Sequence, residues 1–167
     1  MRLAVECFAD HTVLRFLKED CALSMLQDLH VYSQGEVVRA VLIQGLAEVG
    51  MVDEDPNKPH HRKRDETQLI AQGVDVDVRA LGGRHLLIVK PDLERCYLKA
   101  VKRLKLETGF GGPSEMHAEL SRGWQSRKHR DFAKELADLR AVSREKSIPC
   151  FVTELEDALR SLVSRTG

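Results

Sequence analysis

The chain is 167 residues long, 43% hydrophobic and 31% charged, with Lys plus Arg and Asp plus Glu both counting 26. That length suits about one domain able to bury its own core, and the composition leaves little room for a large disordered part. Balanced charge removes any global electrostatic argument for nucleic acid, so such a partner has to be met by a local patch. No run of about 18 apolar residues occurs, and Met1-Arg2-Leu3-Ala4-Val5 reaches Glu6 too early for a signal peptide. The expectation is a cytoplasmic protein with no membrane partner. The four cysteines, Cys7, Cys21, Cys96 and Cys150, form no Cys-x-x-Cys pair; they read as small buried hydrophobes rather than zinc or redox groups.

In chain order, Arg2 to Val5 is a short apolar strand ending in Glu6. A helix opened by Asp10 or His11 follows, with Val13, Leu14, Phe16, Leu17 and Cys21 at helical spacing. Gly35 precedes a second helical stretch carrying Val37, Val38, Val41 and Leu42. Glu48 to Val52 then reads as a buried strand running into Asp53-Glu54-Asp55-Pro56-Asn57, and Pro56 stops it at the acids. Residues 58–72 are a polar, basic excursion. Val74-Asp75-Val76-Asp77-Val78 alternates strictly, as an edge strand with one wet face does. Gly82-Gly83 marks a tight connection, and His85 to Val89 is the clearest buried strand. Pro91 opens a helix with Leu93, Tyr97, Ala100, Val101 and Leu104 on one face. After the Gly109 to Pro113 loop come a charged helix around Lys128 to Arg144 and a last one capped by Thr153. Strands alternating with helices predict an α/β fold with a Rossmann-like, mainly parallel sheet flanked by helices over residues 1–108. Residues 109–167 are expected as a helical extension packed on it within a single domain.

In open parallel sheets ligands bind at the carboxyl ends of strands, which is where Glu6 and the Asp53/Asp55 pair fall if both strands run parallel. Asp53 and Asp55 are two residues apart, so in extended backbone they project to the same side with Cβ atoms about 7 Å apart. Clustered carboxylates repel unless a proton or a cation compensates them. Magnesium, or manganese in its place, suits such hard oxygen donors and is commonly shared with phosphate, whose oxygen it polarises. The alternative is a surface turn, since Asp-Glu-Asp-Pro-Asn is also good loop chemistry.

Val5-Glu6 ending the first strand, Asp10 opening the next helix and Met51-Val52-Asp53-Glu54-Asp55 ending a later strand together resemble the Toprim domain. That domain is shared by topoisomerases, bacterial primases and small nucleases of the overcoming-lysogenization-defect type. The resemblance covers roughly residues 1–105. It implies magnesium-dependent cleavage or transfer at phosphodiesters, with Glu6 as general acid/base or ligand and Asp53 and Asp55 as metal ligands. Cys7 stands where the family usually has Gly after the glutamate, and Asn57-Lys58 where it has Gly after the aspartates. The length suits a stand-alone nuclease-like or defence-associated member rather than a topoisomerase or a primase. Small stand-alone members look similar around Pro91 and Leu93-Glu94, where Glu94 would complete a second metal shell. Alternatively Asp92 and Glu94 simply favour the positive end of their helix.

Lys58, His60, His61, Arg62, Lys63 and Arg64 form the one concentrated basic run. It either gathers a phosphate backbone beside the acids or is merely solvated. His60-His61 lacks the spacing of a helical zinc pair. The loop Gly109 to Ser114 lacks the ending of a phosphate-binding loop and reads as a linker, and Trp124 as a base-stacking group or a docking anchor. Two functional expectations follow. The first is a Mg²⁺-dependent nuclease acting through Glu6, Asp53, Asp55 and Glu94, with Lys58, Arg62, Lys63 and Arg64 on nucleic acid. The second is a non-enzymatic interaction module of a larger bacterial or phage assembly, docking a protein partner through its charged helical tail.

Overall fold

The apolar run Leu3-Ala4-Val5 is fully buried in strand β1 (Arg2–Val5). The computed structural model describes residues 1–6, 8–54, 61–123 and 126–166, without the side chains of residues 8 and 166. Helix α1 (Phe8–Glu19) packs its Val13, Leu14, Phe16 and Leu17 face inward, as the helical spacing requires. Strand β2 (Gln27–His30) follows, and helix α2 (Gln34–Leu42) is capped by Ser33, whose Oγ accepts from Glu36 N–H at 3.2 Å. Gly35 therefore lies inside the first turn of α2 rather than before it.

The central strands are β3 (Val49–Asp53) and β6 (Arg84–Val89), which pair in parallel register from Val49 opposite His85 to Asp53 opposite Val89. Between them the chain makes a short turn of 3₁₀ helix at Arg62–Arg64 and the antiparallel strands β4 (Gln68–Gln72) and β5 (Val76–Leu81). The β5–β6 connection runs through Gly82 and Gly83, both at positive φ, which a tight turn needs and side chains resist. The sheet order is β2-β1-β3-β6-β5-β4, with β2, β1, β3 and β6 parallel and the last two strands antiparallel. The sheet is thus mixed. The alternating Val74 to Val78 segment is not an edge strand: its residues from Val76 on belong to β5, enclosed between β6 and β4, and Val76 and Val78 are buried.

Helix α3 (Leu93–Leu104) starts after Pro91 with Asp92 as its cap, accepting from Arg95 N–H at 2.8 Å. Helices α4 (Pro113–Ser121), α5 (Arg127–Lys146) and α6 (Phe151–Thr166) complete the chain. Thr153 sits inside α6, and its Oγ1 reaches back to accept from Cys150 N–H at 3.1 Å, serving the helix start from within. One core runs from Leu3, Val5 and Met51 through α1 and α3 to Phe132, Phe151 and Leu162, so the last helices share the apolar interior of the sheet. On the opposite face α2 covers Ala4, Val52, Leu86 and Ile88. Cys21, Cys96 and Cys150 are free and buried, as expected, while Cys7 lies outside the described residues. No helix among the described residues is long and apolar enough to cross a membrane.

The helical layer is tied to the rest by two acids of α6. Glu154 accepts from the backbone N–H groups of Val74, Asp75 and Val76 at 2.7, 2.9 and 2.8 Å, which fixes the β4–β5 turn. Glu156, only 2% exposed, accepts from Arg140 at 2.7 Å, Arg144 at 3.1 Å and Arg160 at 3.0 Å. Arg160 also donates to the carbonyl of Cys21, beyond the end of α1. The three guanidinium groups pull the Glu156 carboxyl from an ordinary 4.5 down to about 2. Because the folded value is depressed, its stabilisation is present above the ordinary value and lost as pH falls toward 2. Glu156→Gln keeps one acceptor oxygen but removes the negative charge that faces three partly desolvated guanidinium groups. It is expected to cost about 3 kcal/mol in denaturant melts at pH 7, with the difference from the parent shrinking at acid pH.

Candidate functional site

Strand order brings the acids together. β1 lies beside β3 with Ala4 opposite Gly50, and continuing that register two residues sets Glu6 level with Val52, one position from Asp53 on a strand about 4.8 Å away. On its other side Asp53 is paired with Val89, the last residue of β6, after which the chain turns through Lys90 and Pro91 into α3. Glu6, Asp53 and the acids at the start of α3 therefore share the carboxyl end of three neighbouring parallel strands.

Asp53 is the centre of this group. Its Oδ1 accepts from Leu93 N–H at 3.1 Å, at the positive end of α3. No hydrogen bond to its Oδ2 is found among the described residues. Its backbone carbonyl accepts from the Gln34 side chain and from Arg64 Nη1 at 3.5 Å, so both flanking segments converge on this residue. Burial, and then the negative charges of Asp10, Glu94, Asp92 and Glu6 in that order, push the Asp53 carboxyl well above the usual carboxylate range. One N–H donor does not offset four neighbouring carboxylates. A proton or a cation would relieve that repulsion.

The other acids have partners of their own. Asp10 lies in the first turn of α1, buried, and its Oδ2 accepts from Glu6 N–H at 3.4 Å. Asp92 caps α3 and pairs with Arg95. Glu94 is buried and lies 2.8 Å from Nδ1 of His117 on α4. Asp10 and Asp92 were not expected as members of the site, since acids in a first helical turn are ordinary. The signal that could have found Asp10 is its place four residues after the strand-ending Glu6. His117 carried no signal, because only packing of α4 on α3 brings it to Glu94.

Asp55, the second acid of the pair, and Lys58 of the basic run lie outside the described residues, as do His60 and Trp124. The rest of the basic run divides. Arg62 is exposed, and Lys63 pairs with Glu66 at 2.7 Å. Arg64, expected with the others on nucleic acid, is buried and turned toward the Asp53 carbonyl, and burial lowers its affinity for the proton. The glycine loop before α4 behaves as a linker whose Gly111 N–H donates to Glu115 at 2.9 Å.

The donor set is all carboxylate oxygen, which fits a hard divalent cation such as Mg²⁺ better than zinc. Among the described residues no three His, Cys, Asp or Glu side chains are arranged to hold a metal ion. Comparison with protein-family models, curated proteins and solved structures finds no match.

The crowding at Asp53 has a signed consequence for stability. A carboxyl whose folded value is raised contributes stability that is complete below its unfolded value and lost as pH rises through the folded one. Asp53→Asn keeps the acceptor for Leu93 N–H and removes the charge. In metal-free buffer at pH 7 the variant is expected to melt at a higher temperature than the parent, and the gap should close as the pH is lowered. An unchanged or lower melting temperature at pH 7 would show that the acids do not press on Asp53.

Proposed function

We propose that this chain carries out Mg²⁺-dependent phosphodiester cleavage or transfer on nucleic acid, in the manner of a small stand-alone Toprim-like nuclease. The observation that carries the reading is Asp53, fixed at the end of β3 by the N-terminus of α3 and surrounded by Glu6, Asp10, Asp92 and Glu94. Asp53 and Glu6, with Asp55 and Glu94, would hold Mg²⁺ or Mn²⁺. The cation would supply polarisation of a phosphoryl oxygen and activation of water. The chain's own residues do the rest. Leu93 N–H orients the Asp53 carboxylate, His117 orients Glu94, and Glu6 stands at the strand end where a proton can be taken up or given to a leaving oxygen. Arg62 and Lys63, with Lys58, would hold the phosphate backbone, while Arg64 braces the end of β3.

Thermal melts with Mg²⁺ and Mn²⁺, run beside hydrolysis of single- and double-stranded DNA and RNA, test this directly. The cations should raise the melting temperature of the parent, since a ligand of the native state alone stabilises it, and should not raise that of Asp53→Asn. Cleavage should fall by roughly 100-fold or more in Asp53→Asn and Glu6→Gln. A parent protein whose melting temperature neither metal moves would overturn the reading.

A second reading is the non-enzymatic module, in which Asp92 and Glu94 are committed to Arg95 and His117 rather than to a metal. Under it Asp53→Ala and Glu6→Gln leave biological activity intact, and disrupting the helices after Pro113 abolishes it.

A further inference from the structure

A cavity of about 350 Å³ opens between α1, the outer strand β2 and the first turn of α5. That volume lies at the small end of ligand pockets, which run from roughly 300 to 1,000 Å³, and suits a guest of nucleoside size. Leu14 of α1 and His129 of α5 line it from the core side. His129 is buried and engaged through both ring nitrogens: Nδ1 lies 3.0 Å from the Leu120 carbonyl and Nε2 2.6 Å from Thr12 Oγ1. That wall is fixed before any guest arrives. Opposite it stand two more imidazoles, His11 of α1 and His30 of β2, edge to face with ring centroids 4.7 Å apart. Tyr32, 88% exposed just beyond β2, continues the row at 5.8 Å from His30. Burial, and then the neighbouring His30, lower the His11 value and favour its neutral ring.

The charges around the cavity are matched. Arg15 pairs with Glu19 at 2.8 Å and Lys18 with Asp28 at 3.0 Å, and all four side chains line it. An ion of either sign would meet a like charge as well as an opposite one, so the lining selects neither a bare cation nor a bare anion. A purely apolar guest would cover these donors and acceptors without pairing them. Flat rings beside hydrogen-bonding groups of both kinds suit an uncharged nucleobase, which stacks on histidine and tyrosine and carries donors next to acceptors along its edges.

Position separates a base from other flat polar guests. His30 stands opposite Val5 in the β1–β2 register, and its Nε2 lies 2.9 Å from the Glu6 carbonyl. His11 directly follows Asp10, whose Oδ2 accepts from Glu6 N–H at 3.4 Å. The cavity therefore begins one strand beyond Glu6 and two strand spacings, about 10 Å, from β3. A strand whose phosphate met Glu6 and Asp53 would carry a neighbouring nucleotide to the cavity mouth. We propose that this cavity receives one unstacked base of a single-stranded nucleic acid whose backbone runs on to Asp53. The inference deepens the nuclease reading and rests on it for the placing of the backbone. A duplex would have to give up a base pair first.

Fluorescence anisotropy with a short labelled single strand, on full-length Asp53→Asn so that nothing is cut, tests the cavity. The single strand should bind about tenfold or more tighter than the matching duplex. Adding His11→Ala should weaken that binding about tenfold, the loss of one base–ring contact, and His11→Phe, which keeps a flat ring, should recover most of it. Tyr32→Ala, at an exposed position that folding does not depend on, should weaken it in the same direction and serves if His11→Ala folds poorly. In protein that keeps Asp53, His11→Ala should raise KM for single strands and leave kcat nearly unchanged. Equal binding of single strand and duplex, or folded His11→Ala and Tyr32→Ala variants that bind like their background, would overturn the proposal. So would adenosine monophosphate competing as strongly as the strand, since the guest would then be a free nucleotide. Loss of strand binding in His11→Ala beside a parent that cleaves nothing with Mg²⁺ would remove the nuclease chemistry and keep the base cavity. Cleavage that needs Asp53 but is indifferent to His11 would do the reverse.

Discussion

A carboxylate that folding crowds with other carboxylates is the constraint around which this molecule is arranged. Parallel pairing of β1, β3 and β6 sends three chain segments to one edge, and each delivers an acid there: Glu6, Asp53, and Asp92 with Glu94. Random placement of charges would not survive this, because repulsion within a partly buried group costs stability that few compensating contacts restore. What holds Asp53 is one backbone N–H of α3, while Gln34 and Arg64 grip its carbonyl rather than its side chain. The neighbourhood secures the backbone of Asp53 and leaves its charge to be balanced by something exchangeable. Either a proton or a cation would relieve that repulsion.

The C-terminal helices make that edge possible by closing the other layers. Glu154 and Glu156 stand two residues apart on α6 and serve different partners. Glu154 takes the backbone of the β4–β5 turn, whereas Glu156 gathers arginines of α5 and α6, one of which also bonds the Cys21 carbonyl past α1. Apolar packing from Phe132 and Phe151 against the sheet core supplies area, and these two carboxylates supply register. Residues beyond 108 therefore act as a clamp on the sheet, in addition to any docking role.

How much of this could be read from the sequence depended on what holds each element. β1, β3 and β6 are strands because their side chains are buried on both faces, and continuous apolar runs announce that. β2 and β4 are strands because a neighbour offers hydrogen bonds, and Gln27-Asp28-Leu29-His30 or Gln68 to Gln72 carries no burial pattern to betray it. Missing β4 made β5 look like an edge. The same division runs through the site. The strand-end places of Glu6 and Asp53 were legible in the apolar runs before them, whereas Asp10, read only as a helix opener, and Asp92 looked like ordinary helix-start acids. That Arg64 turns inward was not legible, because a run of basic residues does not say which member does so.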